Sequence, residues 1–61
     1  MSNLKSFMAL QTQIDQCRHD IQRLQIQGTP YALNLADYYQ EKLASLGRRR
    51  NEIIDQIRRQ P

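Results

Sequence analysis

The tripeptide Gly28-Thr29-Pro30 separates two long stretches of helix-forming sequence and decides the fold of this 61-residue chain. Glycine is the residue that most often ends a helix in the left-handed conformation. Threonine is a good N-cap, and proline is tolerated in the first helical turn because the amide hydrogen it lacks would have no partner there. The order therefore predicts the end of one helix and the start of another within three residues. A connection this short makes the two helices antiparallel neighbours.

Before the turn, apolar residues recur at alternating steps of three and four, which is the a/d spacing of a helix that packs along its length. We call this set seam A; its members are Phe7, Leu10, Ile14, Cys17, Ile21 and Leu24. At the other end of the pattern, Ser2 is a suitable N-cap. The pattern predicts a first helix over about residues 3–27, followed by a turn at residues 28–30.

After the turn, a second set with the same alternation predicts a second helix over about residues 30–59. We call this set seam B; its members are Ala32, Ala36, Tyr39, Leu43, Leu46, Arg50, Ile53 and Ile57. Counting outward from the turn pairs Ile21 with Tyr39. The next layer pairs Cys17 with Leu43, and the layers continue to the open end of the hairpin. The alternation continues through Gly47, so we expect one unbroken helix, although an internal glycine costs about 1 kcal/mol.

The fold class that these patterns predict is all-α: one domain over residues 1–61, an antiparallel, coiled-coil-like two-helix hairpin. A domain of about 60 residues buries only about 60% of the surface that its unfolded chain exposes, so a lone hairpin has a marginal core. The single cysteine rules out a disulfide within the chain, and the single histidine leaves too few ligands for a structural zinc. We therefore expect the hairpin to associate with another chain. The simplest form is a homodimer that makes a four-helix bundle, and the alternative partner is another helical protein.

Several large apolar residues lie off both seams, and most of them are near the turn in sequence or in space. A contiguous apolar face outside the core usually marks an interface, whereas scattered apolar residues are normal on a protein surface. We predict that this set forms the oligomer or partner interface: Ile26, Leu33, Leu35, Tyr38 and Ile54.

Five arginines near the end of the second predicted helix form a candidate patch for an anionic partner: Arg48, Arg49, Arg50, Arg58 and Arg59. Arginines at a helix C-terminus also interact favourably with the negative end of the helix dipole and keep the end of a bundle solvated. The patch therefore has a purely structural interpretation as well. The net charge of +3 is mild, and successive residues point about 100° apart around a helix. Nucleic acid is therefore the less favoured partner.

No group of residues in the sequence carries a recognisable reaction chemistry. Cys17 lies on seam A, where we expect a buried structural thiol. His19 is two positions further on and points about 200° around the helix, so it cannot activate that thiol. Two helices also offer no concave pocket of their own. We expect a protein that is not an enzyme, with no cofactor, no metal and no small-molecule substrate.

The sequence also bears on where the protein works. Its longest uncharged stretch, residues 24–36, contains Gln, Gly, Thr, Pro and Asn, so no membrane span is predicted. The first residues lack the apolar region of a signal peptide. Together with the single cysteine, this favours the reducing cytoplasm.

The chain resembles two groups of known proteins. The opening Met1-Ser2-Asn3-Leu4 with its heptads, and the stretch Leu43-Ala44-Ser45-Leu46, resemble the coiled-coil dimerisation segments of bacterial nucleoid proteins of the H-NS/MvaT type. The chain departs from them in its tight turn, and we expect it to lack their DNA-binding domain. In architecture alone, the hairpin resembles small co-chaperones of type III secretion needles. We therefore expect a small adaptor or regulator that acts by helix–helix contact and self-association. The alternatives are a dimeric nucleic-acid-associated regulator and a secretion co-chaperone.

Overall fold

A computed structural model of the chain describes residues 3–60 and shows two helices. Helix α1 spans Asn3–Gln27 and helix α2 spans Pro30–Arg59. The two helices pack against each other and form a slender hairpin of 50 × 15 × 13 Å. The prediction of an all-α fold made of two packed helices is confirmed. The predicted N-cap Ser2 lies outside the described residues.

Each of the three turn residues has the role that the sequence predicts. Gly28 has a φ of +71° and its N–H donates to the carbonyl of Leu24 at 3.2 Å, so the glycine closes the last turn of α1. Thr29 is extended, and its Oγ1 accepts from the N–H of Ala32 at 3.1 Å. This bond satisfies one of the free amides at the start of α2. Pro30 is the first residue of that helix.

The core is a single row of apolar side chains between the helices. Seam A supplies most of it, and Ile14, near the middle of α1, is only 1% exposed. Two alanines of seam B lie next to the turn, where small side chains let the helix backbones approach closely. The buried apolar residues are Leu10, Ile14, Cys17, Ile21, Ala32, Ala36 and Leu46. Tyr39, Leu43 and Ile53 are half-buried against this row.

One hydrogen bond across the hairpin reports the register of the helices. The thiol of Cys17 donates to the backbone carbonyl of Tyr39 at 3.2 Å. A helical carbonyl points toward the residue four positions further on, which here is Leu43. Cys17 therefore lies in the layer between Tyr39 and Leu43, in agreement with the pairing predicted from the turn. At the far end the seam is less well covered, since Ile57 is 41% exposed opposite the first turns of α1.

Helix α2 continues without a break through Gly47, as the phase of seam B predicts. Neither helix in residues 3–60 contains a segment of the length and apolarity needed to cross a membrane.

Replacing Gly47 by alanine is expected to stabilise the hairpin. The added Cβ would meet no atom within 4 Å, and alanine favours an internal helix position by about 1 kcal/mol over glycine. Urea denaturation followed by circular dichroism measures the change. The matched control is Gly28→Ala, which is expected to lose about 1 kcal/mol or more because φ is positive there. A loss of stability in Gly47→Ala would contradict the open space seen beside this residue.

Candidate interaction surfaces

The only free thiol is structural. Cys17 is buried in the core with its hydrogen bond across the hairpin, as predicted, and His19 is exposed on the outside of α1. Two carboxylates, the exposed Asp15 and the half-buried Asp20, accept from the glutamine side chains four residues before them. Such contacts belong to an ordinary helix surface. Among residues 3–60, no three His, Cys, Asp or Glu side chains are grouped as metal ligands.

Large apolar side chains are exposed around the end of the hairpin that carries the turn. The most exposed of them, Ile26, has 79% of its surface accessible in the last turn of α1. We call this set the turn-end surface; its members are Ile26, Tyr31, Leu33 and Tyr38. A packed hairpin gains nothing from leaving these side chains in water, so they are the first candidates for contact with another chain.

The predicted interface residues do not form one face. Ile26, Leu33 and Tyr38 are exposed, whereas Leu35 and Ile54 are half-buried within the hairpin. Leu33 and Tyr38 are five residues apart on α2, which places them about 140° apart around its axis. The apolar surface at the turn therefore wraps around the hairpin end. A flat contact with a single neighbour would cover only part of it.

One aromatic side chain of the turn-end surface, Tyr38, contacts a neighbouring ring on its own helix. The ring of Tyr38 meets the ring of Tyr39 edge to face, with centroids 5.7 Å apart and an angle of 64° between the planes. The ammonium nitrogen of Lys42 lies 5.9 Å from the centroid of the Tyr39 ring. Tyr38 is 61% exposed, so most of its ring stays accessible for a contact with another chain.

At the opposite end of the hairpin, the first turns of α1 and the last turns of α2 border a shallow, open apolar hollow of about 310 Å³. We call it the open-end hollow; it is lined by Leu4, Phe7, Ile54, Ile57 and Arg58. Leu4 is 64% exposed. Ile54 is one of the predicted interface residues, but the heptad pattern does not predict this hollow. A signal was available, because Leu4 and Phe7 are three residues apart and lie level with Ile57 and Ile54 in the predicted register.

The arginines of the candidate patch are spread around α2. Arg48, Arg49, Arg58 and Arg59 are exposed, and Arg58 alone of these lines the open-end hollow. Consecutive residues of a helix differ by about 100° in direction, so Arg48 and Arg49 cannot face one flat surface together. The structure therefore divides the predicted patch into one arginine at the hollow and others that surround the helix.

Arg50 differs from the other four because it belongs to seam B. Its side chain is half-buried, and its Nε is buried without a hydrogen-bond partner. An arginine stem can cover apolar surface while the charge reaches the edge. A buried donor without an acceptor is nevertheless unfavourable by about 1–3 kcal/mol. Arg50 is therefore a local weakness in the packing of the hairpin.

Comparison with known proteins finds no family model, no curated protein and no solved structure that matches the chain.

Replacing Arg50 by leucine is expected to raise the free energy of unfolding by about 1 kcal/mol, because the change removes the unpaired buried donor and keeps an apolar stem on the seam. Urea denaturation at a fixed protein concentration measures it. Arg49→Leu is the matched control, since this neighbour is exposed and the expected change is within about 0.5 kcal/mol. A clear loss of stability in Arg50→Leu alone would show that the guanidinium has a favourable role in the fold.

Proposed function

We propose that this protein is a small, non-enzymatic adaptor or regulator that acts by helix–helix contact and self-associates as a homodimer. The observation that carries the proposal is the turn-end surface, where Ile26, Tyr31, Leu33 and Tyr38 are exposed on a hairpin with a single-row core. The free, buried thiol of Cys17 supports a reducing, cytoplasmic setting.

The surface area of the hairpin supports association. The chain has a mass of 7.2 kDa and an accessible surface of 4905 Å². A compact monomer of this mass is expected to expose only about 4,100 Å². The difference of about 800 Å² equals one partner's share of a standard protein–protein interface. Two hairpins that each covered about this area on the other would form an interface of standard size, and a four-helix bundle is one arrangement that does so.

The charge distribution favours the turn end as the place of self-association. Residues 16–44 carry three basic and three acidic side chains, so two copies can meet there without repulsion between like charges. Residues 3–15 and 45–60 carry six basic and three acidic side chains, which is the whole net charge of +3. Two copies that met at these ends would bring like charges together, at a cost that falls with salt. Self-association is therefore best placed near the turn.

The double change Ile26→Ser and Leu33→Ser is expected to weaken the homodimer by at least about tenfold. Each side chain contributes on the order of 1.5 kcal/mol when buried, and a homodimer contains each of them twice. Sedimentation equilibrium measures the dissociation constant, with at least twice the 7.2 kDa chain mass expected for the unchanged protein at micromolar concentration. Met8→Ser, at an exposed position away from the turn, is the control. A well-folded monomer at about 100 μM would contradict the proposed self-association.

A second candidate function, a nucleic-acid-associated regulator, is favoured by the exposure of Arg48, Arg49, Arg58 and Arg59 in the basic half of the hairpin. The carboxylates of Glu52 and Asp55 lie among these arginines in the sequence and dilute their field. This makes the candidate weaker than the adaptor.

Binding to a duplex DNA, measured by fluorescence anisotropy between about 50 and 200 mM salt, separates the two functions. If the protein is an adaptor, we expect no binding at the low-salt end. A nucleic-acid regulator would bind with a steep salt dependence, and Arg48→Gln with Arg49→Gln would reduce the log–log slope by about two. Arg18→Gln with Arg23→Gln, which removes the same charge from the neutral half, would serve as the control.

A further inference from the structure

We propose that the open-end hollow is a docking site for an amphipathic α-helix with acidic flanks, supplied by a different protein. This site lies at the opposite end of the hairpin from the turn-end surface. It does not depend on self-association, although it rests on the proposal that the protein works by helix–helix contact.

The shape and lining of the hollow suit apolar anchors of a helix. Leu4 and Phe7 on α1 face the region of Ile54 and Ile57 on α2, and each pair is separated by three residues on its own helix. Leu4 is 64% exposed and Ile57 is 41% exposed, so the floor of the hollow stays in contact with water. A groove between two helices accepts a third helix through apolar side chains at positions i, i+3 or i+4 and i+7. The hollow of about 310 Å³ has room for such side chains.

Charge decides the chemistry of the occupant. Arg58 lines the hollow itself, and the surrounding half of the hairpin holds six basic and three acidic side chains. A helix with Asp or Glu beside its apolar anchors would pair with Arg58 and be attracted by the field of this half. A second copy of the same surface would instead bring Arg58 close to its own counterpart. Charge complementarity therefore favours an acidic partner over self-association at this end.

Other anionic partners fit the hollow less well. A flat membrane surface could meet only one side of α2, whereas Arg48 and Arg49 point about 100° apart. Nucleic acid would use the arginines but would leave the apolar side chains of Leu4 and Ile57 in water. An acidic amphipathic helix is the occupant that uses both properties of the site.

The test begins with a displayed library of helical peptides of about 16 residues, selected on the immobilised full chain. We expect the enriched peptides to carry apolar residues at helical spacing with Asp or Glu beside them. The dissociation constant of the best peptide is then measured by fluorescence anisotropy on the unchanged protein and on four single variants. Two variants change the hollow, Leu4→Ser and Arg58→Gln, and two are matched controls in the neutral half, Ala44→Ser and Arg23→Gln. All four positions are exposed, and circular dichroism checks that each variant keeps its helices.

We expect each hollow variant to weaken peptide binding by at least about fivefold and each control by less than about twofold. The proposal is overturned if no peptide is enriched, if the enriched peptides lack acidic residues, or if controls and hollow variants weaken binding equally. It is also overturned if phosphatidylserine vesicles or duplex DNA bind the protein more tightly than the peptides do.

Sedimentation equilibrium keeps this result apart from the homodimer. Leu4→Ser should leave the dissociation constant of the homodimer unchanged. Failure of peptide binding in a protein that still dimerises would remove only the docking site. Successful peptide binding by a monomeric protein would support the docking site and remove only the self-association.

Discussion

The arrangement of this hairpin depends on how Gly28 and Thr29 set the start of α2 relative to the end of α1. The positive φ of Gly28 ends α1, and the hydroxyl of Thr29 caps the first turn of α2 with no residue in between. The connection contains no spare residue. If α2 began one residue earlier or later, its apolar seam would therefore point about 100° away from seam A. The local geometry of the turn and the packing of the core thus specify the same register. A sequence whose turn geometry and core packing agree in this way favours a single folded structure.

This register also determines which apolar side chains stay exposed and are available for contacts with other molecules. The seam residues pack against one another along the middle of the hairpin, where Ile14 and Leu46 are buried. Apolar side chains remain unburied at both ends, but the charge around them differs. Around the turn the surroundings are neutral, while the open end holds the whole net charge. The two ends therefore differ in the partners that they favour, although both expose the same kinds of apolar side chain.

How much of the structure can be predicted from the sequence depends on whether a feature is set by residues close together in the chain or by contacts between the two helices. The turn and the seams could be predicted because each depends on residues close in sequence, and Cys17 was predicted to be buried from its seam position alone. The half-burial of Leu35 and Ile54 depends on how far each helix overlaps the flank of the other, which heptad spacing does not give. The open-end hollow depends on five residues from the first turns of α1 and the last turns of α2, and on the exposure that remains after packing. The absence of a partner for the Arg50 Nε also requires the positions of neighbouring atoms.

The length of the hairpin makes two separate contacts physically compatible. Leu4 and Ile26 are 22 residues apart on one continuous helix, which corresponds to about 33 Å along its axis. That distance is well beyond a Debye length of about 8 Å at physiological salt, so charges brought by an acidic partner at the open end would be screened at the turn. The two sites also share no side chain. The proposed adaptor would need this independence, because a partner held at one end would have to leave the other end free to self-associate. A rigid pair of helices provides it without a second domain.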